Sequence, residues 1–196
     1  MRRWLIGLVG LAVVGCASMT PTVTKQEAYA IYDIKGGAGS AGAIGDGITQ
    51  VLQKSMTGVR VNKEIPPSPL PAKPQRFLLT DLFKNSGLAV VAGVSYKVPS
   101  CPGAMLTTAA SNEAMAKYGE NTTFFVCVQP YAEGYWMTVY STFSKRSGAT
   151  SPAMVGAELA RAFVGDSSQF IPRTVNDLVA AAKATGANVT VVEAYP

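Results

Sequence analysis

The sequence contains no histidine, and this absence removes the side chain that most often acts as a general base near neutral pH. Without histidine, neither a Ser-His-Asp triad nor a Cys-His dyad can be assembled. The three cysteines, at positions 16, 101 and 127, include no C-x-x-C pair, so a thioredoxin-type redox site is also excluded. We therefore expect no catalytic residues, no metal site and no cofactor.

Clusters of basic residues are lacking as well. The chain has 17 lysines and arginines against 12 acidic residues, for a formal net charge of +5. Arg2 and Arg3 stand at the N-terminus, and most of the other basic residues are scattered. Proteins that bind nucleic acids concentrate Lys and Arg on one surface, so the sequence predicts no nucleic-acid partner.

Long apolar runs are absent after the N-terminus. The run at 4–14 follows Met1-Arg2-Arg3 and is shorter than the roughly 20 residues that a membrane-spanning helix needs. A short apolar run behind positive charges is typical of a secretory signal. The run ends in Val13-Val14-Gly15-Cys16, which resembles the lipobox of bacterial lipoproteins, with Val13 at a position where that family usually has leucine.

The resemblance implies how the N-terminus is processed. In that family the leader is cut before the cysteine, which then carries the lipid, palmitate included. We therefore expect a signal peptide at 1–15, a lipidated tether at 16–27 and a single domain at 28–196. Ala17 in place of aspartate implies sorting to the outer membrane, and we expect the protein to face the periplasm. The alternative is an ordinary cleaved signal in which Cys16 is incidental.

Cys101 and Cys127 would then be the only cysteines of the exported domain. Because the cell envelope is oxidising, we expect them to form a disulfide. Closing a loop of this length would stabilise the fold by about 3–4 kcal/mol. The alternative is a pair of buried free thiols.

The stretch 36–42 contains a G-x-G-x-x-G pattern, formed by Gly37, Gly39 and Gly42. With Glu64 about twenty residues further on, it has the formal ingredients of a dinucleotide-binding motif. That motif needs its glycines at the very start of a helix. Gly45 and Gly47 each disfavour a helix interior by about 1 kcal/mol, so we expect the helix to begin at or after Asp46. This separation predicts a loop and no bound nucleotide.

Hydrophobic periodicity predicts one α+β domain, with a mostly antiparallel sheet, one early helix and two late helices. The early helix has its apolar stripe between Ile44 and Met56, and the late helices begin at Ser151 and near Thr174, the second ending at Gly186. Strands are predicted at 28–34, 58–65, 76–83, 88–98, 122–130, 135–144 and 188–194, with a turn at 85–87 and a hairpin loop at 131–134.

Five prolines in 66–74 exclude a helix or central strand there. They predict an extended surface connection, and the alternative is a ligand for an aromatic groove.

Asp33 is a charged residue in an otherwise apolar predicted strand, so its carboxylate needs a partner such as Lys35 or Arg60.

Four aromatic residues on or beside the predicted hairpin form a candidate partner patch: Tyr131, Tyr135, Trp136 and Tyr140. Exposed to solvent, they would bind a partner. Covered by helices, they would be core, which is the interpretation we favour.

These observations predict a non-enzymatic, membrane-anchored lipoprotein that binds or scaffolds a protein partner in the bacterial cell envelope. The alternative is a periplasmic binder of a small molecule or lipid, with its pocket between sheet and helices. A glycan-acting enzyme would need two facing carboxyl groups, and the sequence has no motif for them.

Overall fold

The computed structural model describes residues 22–36, 41–81, 97–112, 116, 119–147 and 169–195. Within these residues the chain forms eight strands and two helices. In chain order they are β1 (Thr22–Lys35), α1 (Ala41–Ser55), β2 (Gly58–Lys63), β3 (Leu78–Asp81), β4 (Lys97–Ser100), β5 (Leu106–Asn112), β6 (Glu120–Tyr131), β7 (Gly134–Ser147), α2 (Phe170–Ala184) and β8 (Asn188–Tyr195).

Six of the strands form one sheet in the order β2-β5-β6-β7-β1-β8, and every neighbouring pair is antiparallel. β3 and β4 pair separately, also antiparallel. The predicted α+β class with a mostly antiparallel sheet is thus confirmed. The helix predicted from Ser151 and the turn predicted at 85–87 lie outside the described residues.

Both helices pack on one face of the sheet and form the larger core. α1 contributes Ile44, Ile48 and Leu52, and α2 contributes Leu178 and Ala182. The facing strands supply their alternate apolar side chains, which are fully or almost fully buried: Ile34, Leu106, Phe124, Val126, Val128, Met137 and Val139. The apolar residues of the strands, spaced two apart, pack in this layer against the apolar residues of the helices, which recur every 3.6 residues.

The start of α1 corrects the predicted helix boundary, since α1 begins at Ala41 and includes both Gly45 and Gly47. A Cβ on Gly45 would lie 3.3 Å from Leu106 Cδ2, and one on Gly47 would lie 3.5 Å from the Cβ of Ala181. Gly45 therefore lets α1 approach β5 closely, whereas a Cβ on Gly47 would make an ordinary contact with α2. The close packing at Gly45 compensates for its low helix propensity.

The strand order differs from that of a dinucleotide-binding fold. There, a strand and the next strand after the helix belong to one parallel βαβ unit. Here β1 and β2 are separated by three other strands. Gly42, the last glycine of the G-x-G-x-x-G pattern, lies in the first turn of α1, so the predicted separation between the pattern and the helix is wrong. It is the strand order that differs from a dinucleotide-binding fold.

Two further boundaries differ from prediction. β1 begins at Thr22, where it pairs with Ser147 of β7, so residues 22–27 of the predicted tether belong to the sheet. α2 begins at Phe170 rather than near Thr174, which is buried inside the helix. The end of α2 is as predicted, because Gly186 has φ +80° and donates its N–H to the Lys183 carbonyl at 2.9 Å. This geometry is that of a left-handed glycine cap.

The other face of the sheet carries a second layer built from loop segments. No helix or strand occurs within 64–77, in agreement with the predicted proline-rich connection. Phe77 belongs to a cluster of buried side chains on this face, to which both the loop segments and the sheet contribute. The other members are Ile31, Cys101, Ala104, Cys127 and Tyr140. We call residues 64–81 and 97–104 the cover.

Three contacts hold the cover on β6 and the hairpin turn. The predicted disulfide joins Cys101 to Cys127. Gln129 donates its side-chain amide to the Pro102 carbonyl at 2.8 Å, and the Ala132 N–H donates to the Pro71 carbonyl at 3.0 Å. The sheet therefore lies between a helical layer and a layer with little regular secondary structure.

Candidate functional site

The four aromatic residues of the candidate partner patch do not form one surface. Tyr135 packs against the helix-side core, whereas Trp136 and Tyr140 lie with the cover on the opposite face. Tyr131 and Tyr140 are buried. The four residues are therefore not one patch. Tyr131 and Tyr140 agree with the favoured interpretation as core, whereas Tyr135 and Trp136 are half-buried.

Asp33 has the partner that the sequence suggested on its own strand. Its Oδ1 accepts a hydrogen bond from the Tyr131 hydroxyl at 2.7 Å, and Lys35 Nζ lies 3.6 Å from Oδ2. The same Nζ contacts Glu133 Oε2 at 2.8 Å, and this hydrogen bond is the main cause that raises the pKa of Lys35. Arg60 lies on β2, at the far edge of the sheet.

Three tyrosines form a row across three neighbouring strands on the cover side. Tyr29 of β1 stands opposite Tyr140 of β7 and opposite Tyr195 of β8. The rings of Tyr29 and Tyr195 stack with centroids 5.8 Å apart. Phe77 of the cover contacts Tyr29 at 5.2 Å and Tyr140 at 6.3 Å between ring centroids. The row is thus closed on one side by the cover.

A groove of about 820 Å³ lies between this row and the cover. Its charged side chains are connected, because Glu27 of β1 binds Lys97 of β4 at 2.9 Å and lies 3.8 Å from Lys25 Nζ. The Glu27 carboxylate also raises the pKa of Lys97, chiefly through this hydrogen bond. The full lining is Lys25, Gln26, Glu27, Tyr29, Leu79, Lys97, Tyr140 and Tyr195.

One end of the cover is fastened beside the groove by Arg76, which binds the Glu193 carboxylate of β8. The Tyr29 hydroxyl donates to the same carboxylate at 2.5 Å. These two hydrogen bonds, that of Arg76 first, lower the pKa of Glu193. The bond to Glu193 is also the main cause that raises the pKa of Tyr29.

Tyr140 is the most buried group of the groove, with 3% of its surface exposed. Its hydroxyl makes no hydrogen bond of regular geometry among the described residues. The Glu27 carboxylate is nevertheless close enough to interact with it by charge and through a weak hydrogen bond. Burial, followed by this carboxylate, raises the pKa of Tyr140 to about 12. The hydroxyl therefore stays protonated under physiological conditions and can donate.

The raised tyrosine pKa values predict a stability loss at high pH. The folded chain holds the Tyr140 proton up to about pH 12, whereas an unfolded tyrosine releases it near pH 10. The unfolded state therefore binds fewer protons in this window, and the free energy of unfolding falls as the pH rises from about 10 to about 12. Urea unfolding with parallel tyrosinate absorbance measures this. The slope should be smaller for Tyr140→Phe, and an unchanged slope would assign the loss to other groups.

The sequence did not indicate the groove, since its lining comes from five strands that are distant in the chain. A signal existed in the alternation of charged and aromatic residues along 25–29. This alternation places Lys25, Glu27 and Tyr29 on one face of a strand. The interpretation of 17–27 as a tether concealed it.

No helix of the described residues is long and apolar enough to cross a membrane. They also contain no group of three His, Cys, Asp or Glu side chains with metal-binding geometry.

The chain has no significant match to any protein-family model, curated protein or solved structure with which it was compared.

Proposed function

We propose that the protein is a lipid-anchored, non-enzymatic component of the bacterial cell envelope, whose domain binds a protein partner close to the membrane. The observation that carries the proposal is the lipobox-like end of the leader, with Gly15 before Cys16. The Cys101–Cys127 disulfide supports it, because such bonds persist in oxidising compartments. The proposed location is the periplasmic face of the outer membrane.

The anchor is tested by Cys16→Ser. We expect the wild-type protein to sediment with membranes and to incorporate a labelled palmitate analogue. The serine variant should lose the label and be found in the soluble envelope fraction. Cys101→Ser is the matched control, which should keep the label. A Cys16→Ser protein that remains membrane-bound after its signal is cleaved would contradict the proposal.

The surface that best supports partner binding is the edge strand β8. It pairs with β1 alone among the described strands. Val191 and Val192 are 64% and 48% exposed, and the β1–β8 register shifts beside them. Exposed strand edges with apolar side chains are templates for pairing with another chain. We therefore propose that a strand of the partner adds along β8.

A photo-crosslinking amino acid at Val192, introduced into the anchored protein in intact cells, tests this surface. We expect one dominant crosslinked partner. The matched control is the same substitution at Val61, on the opposite sheet edge, whose side chain is 39% exposed. Equal crosslinking from both edges, or none from β8, would contradict the assignment of this surface.

We also propose that a third helix begins at Ser151, where serine followed by Pro152 has the pattern of a helix start. It would complete the predicted arrangement of one early and two late helices.

A further inference from the structure

The large apolar side chains that the domain exposes are concentrated on one face and on the two sheet edges. Among the described residues, none of them belongs to α1 or α2. Four lie on the edge strands β2 and β8, and Val23 lies at the start of β1. The remaining four belong to the cover, and they are Ile65, Leu70, Leu78 and Leu79. The layer opposite the helices therefore has an apolar outer surface.

The backbone of the cover holds these side chains in exposed positions. Ile65 is 96% exposed and stands between β2 and the proline-rich stretch. Leu70 precedes Pro71, whose carbonyl is bonded to the hairpin turn of β6 and β7, and Leu78 belongs to the paired strand β3. The five prolines of 66–74 restrict the backbone further. Side chains on an ordered backbone lose less entropy when they bind, which favours association.

Strand β3 of the cover runs toward the start of β1. It begins beside Phe77, which contacts Tyr29, and it ends at Asp81, opposite Lys97. Lys97 in turn binds Glu27, which precedes Tyr29 on β1. Alternate residues of a strand share a face, so the exposed valine at the start of β1 lies on the cover side as well. The apolar surface thus extends to the end of the domain that follows the proposed anchor.

The charges of the cover are few. Of its 26 residues, five are charged, and Arg76 and Lys97 among them bind carboxylates of β8 and β1. Residues 82–96, which join β3 to β4, contain nine apolar residues and one charged residue, Lys84. Binding to a lipid interface scales with the apolar area that is buried. A surface of this composition therefore favours a lipid interface over a strongly charged partner.

We propose that the outer surface of the cover lies against the lipid bilayer, with the side chains of Ile65, Leu70 and Leu78 in its interfacial region. The inference rests on the proposed function, in which the chain is held at a membrane. An anchor at Cys16 would keep the bilayer next to the cover at a high effective concentration, so that a few apolar contacts suffice. The helical layer then faces away from the lipid, and the β8 edge stays open at the side for a protein partner.

Fluorescence of the anchored chain tests the proposal. The mature chain from Cys16 is coupled through that thiol to a maleimide lipid in phosphatidylcholine vesicles, and dansylalanine replaces Ile65 or Leu78. We expect blue-shifted emission at both positions and quenching by doxyl-labelled lipid. Gln53, an exposed residue of α1, is the matched control position, where neither effect should occur. Equal quenching at all three positions, or none at Ile65 and Leu78, would overturn the proposal.

The chemical coupling separates this result from that of the anchor experiment. It holds the chain on the vesicle whether or not cells attach a lipid to Cys16. A cover that stays in water on these vesicles therefore contradicts the contact with lipid and leaves the anchor standing. The fate of the anchor is decided by the palmitate label in cells.

Two double variants assign the contact to the cover, with dansylalanine at Leu70. Ile65→Glu with Leu78→Glu should shift the equilibrium between lipid-bound and free cover at least about tenfold, because each buried aliphatic side chain contributes about that factor. Val61→Glu with Val191→Glu, on the two sheet edges, is the matched control and should leave the quenching unchanged. A second copy of the chain on the cover would give a blue shift that rises with protein density and no doxyl quenching. That outcome, or unchanged quenching in the first double variant, would contradict the proposal.

Discussion

Gly134→Ala is expected to lower the free energy of unfolding by about 3 kcal/mol. Gly134 begins β7, and a Cβ on it would lie 2.3 Å from the Ile34 carbonyl oxygen and 3.3 Å from the carbonyl carbon. The clash involves the backbone of β1, so a change of side-chain rotamer cannot relieve it. β1 would have to move, although it is held between β7 and β8. Urea unfolding of the purified variant measures the effect.

Gly47→Ala is the matched control for this prediction. Its Cβ would lie 3.5 Å from Ala181, an ordinary contact, and alanine is favoured over glycine inside a helix by about 1 kcal/mol. The variant should therefore be as stable as the wild type or more stable. If Gly134→Ala unfolds at the wild-type urea concentration, the close approach of β1 and β7 described here is wrong.

Removal of the disulfide should have an effect of similar size. The bond closes a loop with a sequence separation of 26 residues, so the double substitution of Cys101 and Cys127 by alanine should cost about 3–4 kcal/mol. It also frees the cover from β6, and Phe77 should become accessible at lower denaturant concentrations than the helix-side core. Urea unfolding measures the first effect, and hydrogen exchange measured residue by residue measures the second.

The reductant dependence of the wild type provides the control for the disulfide. Reduced wild-type protein should approach the double alanine variant in stability, whereas the variant itself should be insensitive to reductant. A wild type that unfolds at the same urea concentration with and without reductant would show that the bond contributes nothing to the folded state.

The hairpin of β6 and β7 is the part of the fold that the sequence predicted best. Its strands were predicted at 122–130 and 135–144, and both extend further in the structure. Local alternation and a short turn determine this element. The Cys101–Cys127 pair was predictable for a different reason, since only two cysteines remain once Cys16 is assigned to the anchor.

The start of α1 was missed because the packing reason for Gly45 lies outside the helix. Gly45 fits under Leu106, a contact that joins residues far apart in the chain. Local propensity alone places the helix start too late. The first residues of β1 were missed similarly, because their polar side chains suggested a linker, whereas in the sheet they line the groove and bind Lys97.

The early start of β1 sets how far the domain can stand from its membrane. For a chain anchored at Cys16, only residues 17–21 precede Thr22, the first residue of β1. Even fully extended, this segment spans no more than about 20 Å. The domain would then lie close to the lipid headgroups, and Lys25 and Glu27 would be only a few residues from the attachment point. The mouth of the groove would open within reach of molecules that leave the bilayer, and a partner would have to meet the protein at the membrane surface.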